Sequence, residues 1–376
     1  MKAEKSARDK DACPWKKSSK KSAFILGAML VLLEKTDRNK TIAHEHMKGT
    51  KKNHLKKMTD IPVSIIIPNY DGEQILTRTL ASVVEAARAY QGECEIIVVD
   101  DASQDKSIKL ITENFPEISV VRHDTNKGFA EAVHSGTKSS SYQIIILLNS
   151  DVHPDRNFIA PLVRWFSRDD TFSVSPLICD HCRQPMRVSW NLGKIVRGEI
   201  RNRKWNLENA LHMARMGRPL KSIFASGGSI AFRKEMFLQL GGFLPLYKPF
   251  YYEDRDLGTR AWQRGWQTFF EPESTVIHDQ EGTINRFFQA KRIKIIRRRN
   301  RFFYLWLHLS AGKLVLSHFP WIFFRLPSRL LRMDTIYAAA LFEALSGLRE
   351  VIKLRGGLKW GHPTKSLEEI IEEIGF

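Results

Sequence analysis

Cysteine is scarce in this chain: Cys13, Cys94, Cys179 and Cys182 are the four among 376 residues. That is too few for a disulfide framework and points to a reducing, cytosolic setting. Cys179-Asp-His-Cys182 supplies half of a zinc pattern, but no second Cys/His pair stands at a suitable spacing, so a structural zinc is disfavoured. Long apolar runs are also lacking. No stretch reaches the roughly 18 apolar residues of a membrane-spanning helix. The nearest block, AFILGAMLVLL at residues 23–33, follows Lys16, Lys17, Lys20 and Lys21 and has no small-residue cleavage site after it, which favours an interfacial anchor or a mis-assigned start over a signal peptide. Two phosphate cradles are missing as well. Neither G-x-G-x-x-G after the first strand nor a P-loop occurs, which excludes the usual backbone-amide grips on a diphosphate. No internal repeat is visible.

What is abundant is positive charge, at a formal net +18. It is concentrated at the two ends. Residues 1–60 hold 16 Lys/Arg against 7 Asp/Glu, and between Glu281 and Asp334 there are twelve Lys/Arg and no acid. Residues 1–60, polar and largely aperiodic, read as a flexible basic extension. Two basic ends around a balanced middle call for an anionic partner, a membrane surface or a nucleic acid.

Order begins at Val63-Ser-Ile-Ile-Ile-Pro68, a β-branched run of the kind that is buried on both faces. Helical spacing of Leu76, Leu80, Val83 and Ala87 follows, and then strand runs at 95–99, 118–121 and 144–148 alternate with helical segments at 106–115 and 130–139. Strand, helix, strand in strict alternation predicts an α/β fold with a mostly parallel twisted sheet flanked by helices. Ligands of such sheets bind at the carboxyl ends of the strands. Here those ends read Pro68-Asn69-Tyr70-Asp71, Asp100-Asp101 and Asn149-Ser150-Asp151, so three strands deliver polar or acidic groups to one edge. A diphosphate approaching those carboxylates without an amide cradle needs a hard divalent cation, and Mg²⁺ or Mn²⁺ suits Asp151 together with phosphate oxygens.

Five stretches in order, VSIIIPNYDG, EIIVVDDASQD, NKGFAEAVHSG, LLNSDV and YYEDRDLGTRAWQRGW, resemble a family 2 glycosyltransferase of the GT-A fold, similar to bacterial rhamnosyltransferase-like surface-glycan enzymes. The resemblance covers roughly residues 61–300 and places the glycosyltransferase domain at 61–285. It implies a nucleotide-sugar donor, a divalent metal and inversion at the anomeric carbon. Carried over by position, Pro68, Asn69 and Tyr70 lie beside the base, Asp100 and Asp101 contact base and ribose, and Lys127 and Gly128 belong to the loop that closes over the nucleotide. Asn149-Ser150-Asp151 occupies the place of the D-x-D motif, with Asn in place of the first acid, so Asp151 is the motif's one carboxylate for the metal. His278, after a short strand at 274–277, resembles a histidine that reaches the metal or the diphosphate. Gly227 and Gly228 make a turn where backbone can approach the donor sugar, although a tight turn alone also accounts for them.

Inverting transfer needs a carboxylate on the acceptor side, separate from the metal. Glu253 and Asp254, after the aromatic run Phe250-Tyr-Tyr and at the start of a predicted helix, are the candidates, and the resemblance favours Asp254 as base with Glu253 in support. Favourable charge at a helix N-terminus is the plainer explanation for acids there.

The basic tail from 286 to 376 alternates cations with Phe, Trp, Leu and Ile, which suits a helical region lying in the headgroup layer of an anionic membrane better than a single-stranded nucleic-acid platform. RRRNRFFYLWLHL resembles the tail of bacterial family members that extend lipid-linked sugars, and Arg297, Arg298, Arg299 and Arg301 are candidate ligands for an acceptor pyrophosphate or the membrane. The expectation is therefore a metal-dependent inverting glycosyltransferase of surface polysaccharide biosynthesis, bound peripherally to the cytoplasmic face of the cell membrane. A nucleotidyltransferase of similar fold is less favoured, because the turn after the first strand lacks a Gly-rich, basic loop. A non-catalytic nucleotide- or lipid-binding scaffold is the remaining alternative, left open by Asn149.

Overall fold

The computed structural model describes residues 60–279, 288–360 and 365–375. The basic extension expected before residue 60, with its apolar block, lies outside the described residues. Residues 58–376 form one compact unit.

Its centre is an eight-stranded sheet in the order β3-β2-β1-β4-β9-β6-β10-β5. The strands are β1 (Val63–Asn69), β2 (Cys94–Asp100), β3 (Ser119–Arg122), β4 (Ile144–Leu148), β5 (Val152–Pro154), β6 (Thr171–Cys179), β9 (Ser229–Arg233) and β10 (Gln267–His278). The first four pair in parallel, as the alternating pattern predicts. Beyond β4 the sheet becomes mixed: β9 runs antiparallel to both β4 and β6, and β5 antiparallel to β10. A separate hairpin, β7 (Gly193–Val196) and β8 (Glu199–Asn202), lies in the segment between β6 and β9.

The period-2 alternation of the parallel strands sorts their side chains onto two faces. Ile65, Ile67, Ile96 and Val98 pack with Leu76, Leu80 and Val83 of helix α1 (Glu73–Ala89) and Ile111 of α2 (Ser107–Asn114). Ile66, Ile97, Val99 and Ile145 turn the other way, onto Ala132 and Val133 of α3 (Phe129–Ser139). Both faces are covered, which is why these strands are continuous apolar runs. The register Asn69↔Asp100 then sets those two residues side by side at the carboxyl edge.

The first helix of the C-terminal segment departs from the expectation of a helix in the headgroup layer. Helix α8 (Ala290–His308) is a core helix, with Phe302, Phe303, Tyr304, Leu305, Trp306 and Leu307 all buried. It packs against α10 (Thr335–Ser346) and α11 (Leu348–Trp360), two further elements of the same tail. The apolar residues near its end surround the helix instead of forming one stripe, and such a helix belongs inside a protein. Among the described residues no helix is long and apolar enough to cross a membrane.

Candidate active site

Asn69, at the end of β1, donates from Nδ2 to Asp100 Oδ1 at 3.0 Å and to Ser103 Oγ at 3.1 Å. Ser103 N in turn donates to Asp100 Oδ2 at 3.2 Å. Asp100 is fully buried and both its oxygens are thereby engaged. Asp101 is occupied in the same way. Its Oδ1 accepts from Lys127 N at 2.9 Å and its Oδ2 from Gly128 N at 2.7 Å, and His123 Nδ1 lies 2.7 Å from Oδ1. The acidic pair thus ties β2 to the strand end of β1 and to the 127–128 loop. Gly128 has φ of +87° at the start of α3, a conformation that favours glycine, so this loop takes its shape from glycine and Asp101 together. Pro68 and Tyr70 flank Asn69 and are half-buried, and the Lys127 side chain is exposed.

At the end of β4, Ser150 is held through its carbonyl, which accepts from Thr79 Oγ1 of α1 at 2.6 Å. Asp151 follows, buried, with His278 Nε2 3.5 Å from its Oδ1. The juxtaposition is made by the last rungs of the sheet, where His278 of β10 pairs with Val152 of β5, the residue after Asp151. Burial raises the Asp151 carboxyl above its ordinary value, while His278 opposes the shift. Asp279 N donates to Asp151 O at 3.0 Å, and the Asp279 carboxylate is taken by His153 and Arg78.

Do these residues fit a divalent cation? Among the described residues no three His, Cys, Asp or Glu side chains converge as a complete ligand set. Asp151 and His278 nevertheless offer one carboxylate and one imidazole at a spacing that a single ion can bridge. His278 Nδ1 and Asn149 Oδ1 are buried without a hydrogen-bond partner. A two-donor protein set leaving positions for phosphate oxygens is the mode in which Mg²⁺ and Mn²⁺ are held beside nucleotides, and the residues fit it. The Cys179-x-x-Cys182 pattern contributes nothing here, since Cys179 is a buried free thiol pushed up to about 11 by burial.

The acceptor side is joined to this edge through backbone. Asn149 N donates to Gly228 O at 2.9 Å, and Gly227 N donates to Asp254 Oδ2 at 3.1 Å. A side chain at Gly227 or Gly228 would stand 3.3 Å from Asp254 Cβ or 3.1 Å from Asn149 Nδ2, so these glycines permit close approach; neither has positive φ. Asp254 lies in the first turn of α7 (Glu253–Gln263), as predicted, and Gly258 lets that helix rest on Ile223 and Phe224, where a Cβ would come within 2.5 Å of Phe224 Cβ.

Burial raises the Asp254 carboxyl, partly offset by the amides of Gly227 and Arg255. Burial, and then the charge of Asp254, push Glu253 up to about 8, and Glu253 Oε2 is shut from solvent with no partner. Burial and the neighbouring charge thus favour the protonated form of Glu253, while the amides of Gly227 and Arg255 favour charge on Asp254.

What aims this pair is not visible from the motif. Tyr251 and Tyr252 have φ of +73° and +80°, a strained conformation for two consecutive aromatic residues. Asn300, fully buried on α8, donates from Nδ2 to the carbonyls of Tyr247, Phe250 and Tyr251 at 2.8, 2.9 and 2.8 Å. One turn into α7, buried Asp256 binds Arg260 at 2.6 Å, with His308 Nε2 at 2.7 Å and Tyr247 OH at 3.1 Å. Burial opposes ionisation of Asp256, but Arg260 and His308 outweigh it and hold the carboxyl below its usual value.

Three of the four arginines singled out as acceptor or membrane ligands are paired with acids of the fold, and the exposed Arg297 covers an aromatic ring. Arg298 pairs with Asp334 at 3.3 Å, Arg299 with Glu343 at 3.5 Å and Arg301 with Glu199 at 3.2 Å, while Arg297 lies 4.3 Å over the Tyr251 ring. The sequence offers no acid near them, but the fold brings three from elsewhere in the chain. Trp190 and Trp262 are core residues.

Residues 64–241 match the family model described as Glycosyl transferase family 2. N-acetylgalactosaminyltransferase 7 of Drosophila melanogaster is 25% identical over 234 residues, 58% of this chain and 39% of that protein. An inactive polypeptide N-acetylgalactosaminyltransferase-like protein 5 of Macaca fascicularis is 27% identical over 234 residues, 58% of this chain and 52% of that protein. The chain thus spans about two-fifths to one-half of the length of these relatives. They are named for N-acetylgalactosaminyl transfer, not for the rhamnosyl transfer that the resemblance to bacterial enzymes implied. A crystal structure of GalNAc-T7 with UDP, GalNAc and Mn²⁺ aligns with a TM-score of 0.53 at 21% identity, over 67% of this chain and 49% of that one, a likeness of fold. On these grounds residues 64–241 are similar to glycosyl transferase family 2, and the fold is GT-A-like.

Proposed function

We propose that this protein is a metal-dependent inverting glycosyltransferase that moves one sugar from a nucleoside-diphosphate donor to a hydroxyl of a lipid-linked glycan at an anionic membrane surface. One observation carries the reading: a hydrogen-bonded path from the Asn149–Asp151 segment through Gly228 and Gly227 to the Asp254 carboxylate. It fixes a metal-side carboxylate and a separate acceptor-side carboxylate relative to one another. The relatives' names favour an N-acetylhexosamine donor, and the exposed apolar and basic tail favours a lipid-linked acceptor over a polypeptide one.

In this reading Asp151 and His278 hold Mg²⁺ or Mn²⁺, which when bound supplies positive charge to the leaving diphosphate. The 127–128 loop, pinned by Asp101, covers the nucleotide, with Asn69 and Tyr70 beside the base. Asp254 takes the proton from the acceptor hydroxyl as that oxygen attacks the anomeric carbon from the face opposite the diphosphate. Glu253, keeping its proton, leaves Asp254 as the charged member of the pair. The cytoplasmic face of the cell membrane remains our proposal for where this takes place.

The test is nucleoside diphosphate release from a panel of nucleotide sugars, with membrane lipid extract, in Mn²⁺ or EDTA, for the full chain and for Asp254→Asn. One donor turned over only with metal and lipid, bound by Asp254→Asn but not consumed by it, is the expected result. Binding without turnover in the unaltered protein would favour the scaffold reading, which Asn149 and the relatives named inactive support. Absence of binding across the panel would overturn both.

A further inference from the structure

Among the described residues, thirteen large apolar side chains are exposed, and eleven of them fall between Val315 and Ile352. Most lie on or beside α9 (Phe319–Leu331). Leu316 is 82% exposed, Phe323 73%, Phe324 74% and Leu331 86%. Positions 316, 319, 323 and 330 recur at three- to seven-residue intervals, which places them along one side of a continuous helical stretch, with 324 and 331 adjoining.

The other side of the stretch is anchored. Ile322 and Leu326 pack on the core, Arg325 and Arg329 reach Glu199 and Asp334, and buried His318 lies with Nδ1 2.8 Å from Gly198 O. The outward apolar stripe therefore belongs to a helix whose inward contacts are already made. Met333 and, on α10, Phe342 extend the exposed apolar surface.

The unpaired charges of this segment are mostly positive. Lys313, Arg332, Arg349 and Lys353 are exposed and have no ion-pair partner among the described residues. Asp334 and Glu343 are consumed by arginines within the fold, which leaves Glu350 as the one unpaired acid between residues 311 and 357. Aromatic and leucine side chains flanked in sequence by the unneutralised Lys313 and Arg332 match the interfacial layer of an anionic bilayer, where rings enter the acyl boundary and cations meet phosphate.

Two other occupants fit less well. A second copy in a two-fold interface would bring another set of the same unneutralised cations to this surface, which like charge penalises. The chain's own apolar block at residues 23–33 is preceded by four lysines between 16 and 21, again the same sign.

We propose that the face formed by Leu316, Phe319, Phe323, Phe324, Leu331 and Met333, with Lys313 and Arg332, is the surface by which the protein lies on an anionic lipid bilayer. This deepens the reading of a lipid-linked acceptor and rests on it for its purpose. The docking face and Asn300, which holds the Phe250–Tyr251 loop, belong to one helical tail.

The experiment is sedimentation of the full chain with vesicles of phosphatidylcholine alone and of phosphatidylcholine with phosphatidylserine. The variants are Phe323→Ser/Phe324→Ser and Lys313→Glu/Arg332→Glu, with folding checked by circular dichroism. The unaltered protein is expected to bind the anionic vesicles at least about tenfold better than the neutral ones, and less so as salt rises. The Phe pair variant should lose about tenfold or more on either vesicle, and the charge variant should lose the anionic preference. Vesicle binding that neither variant changes would overturn the assignment. So would self-association abolished by Phe323→Ser/Phe324→Ser without any lipid binding, which would make the face a contact between copies. Nucleotide-sugar binding, measured on the same variants without lipid, is expected to be unchanged, so failure of this surface and failure of the transferase reading are told apart.

Discussion

Replacing Glu253 with Gln removes a group whose protonation couples the acceptor side to the stability of the fold. The side chains match in size, so the packing of α7 is retained. Burial and the neighbouring Asp254 hold the Glu253 carboxyl at about 8 against an ordinary 4.5. In the unfolded chain the carboxyl ionises as pH rises past 4.5, while in the folded protein it keeps its proton until about 8. Between those values the unfolded state binds fewer protons, so unfolding becomes easier as pH rises. The slope is about 1.4 kcal/mol per pH unit, and across the window the effect is on the order of 4 kcal/mol. Gln cannot ionise and lacks that slope. Urea unfolding of the unaltered protein and of Glu253→Gln at pH 5, 6, 7 and 8 should therefore show the variant gaining relative stability at each step upward, with most of the gain complete by pH 8. Parallel pH dependences would refute the reasoning, because they would mean that Glu253 is ionised in the folded protein at neutral pH and that the two acids carry two charges.

Asn300→Leu should destabilise the protein by about 2–4 kcal/mol, since three buried carbonyls lose their donor. If Asn300 also aims the pair, turnover should fall by more than about tenfold while donor affinity holds and Asn300→Asp recovers little, an acid being no donor when ionised; equal losses in affinity and turnover would argue for a purely structural part. Asp101→Asn should loosen the 127–128 loop, because an amide cannot accept from Lys127 N, Gly128 N and His123 together, and nucleoside diphosphate affinity by calorimetry should drop about tenfold. Unchanged affinity would remove that loop from the nucleotide site.

The parallel half of the sheet and the edge where its strands end are determined locally. Runs such as Val63-Ser-Ile-Ile-Ile are continuous because helices cover both faces, and parallel pairing then places Asn69, Asp100 and Asn149-Ser150-Asp151 along one edge. The helix at Glu253 was equally legible, from acids ahead of a period-3.6 apolar pattern. Other features depend on residues far apart in sequence. Arg297, Arg298, Arg299 and Arg301 read as an open cationic face because no acid stands near them, and only folding supplies Glu199, Asp334 and Glu343. Asn300 looked like one polar residue in a basic helix, although it interrupts the apolar stripe Ile293, Ile296, Phe303, Leu307, a position where a polar side chain must find buried partners. Those partners are the carbonyls of a loop some 50 residues away. Short-range pattern fixes which segments are strands and helices, because backbone period and burial are read from neighbours in the chain. Which charge is neutralised, which carboxyl keeps its proton and which apolar face stays open are decided by the tertiary structure, because solvation and ion pairing depend on what the fold brings near.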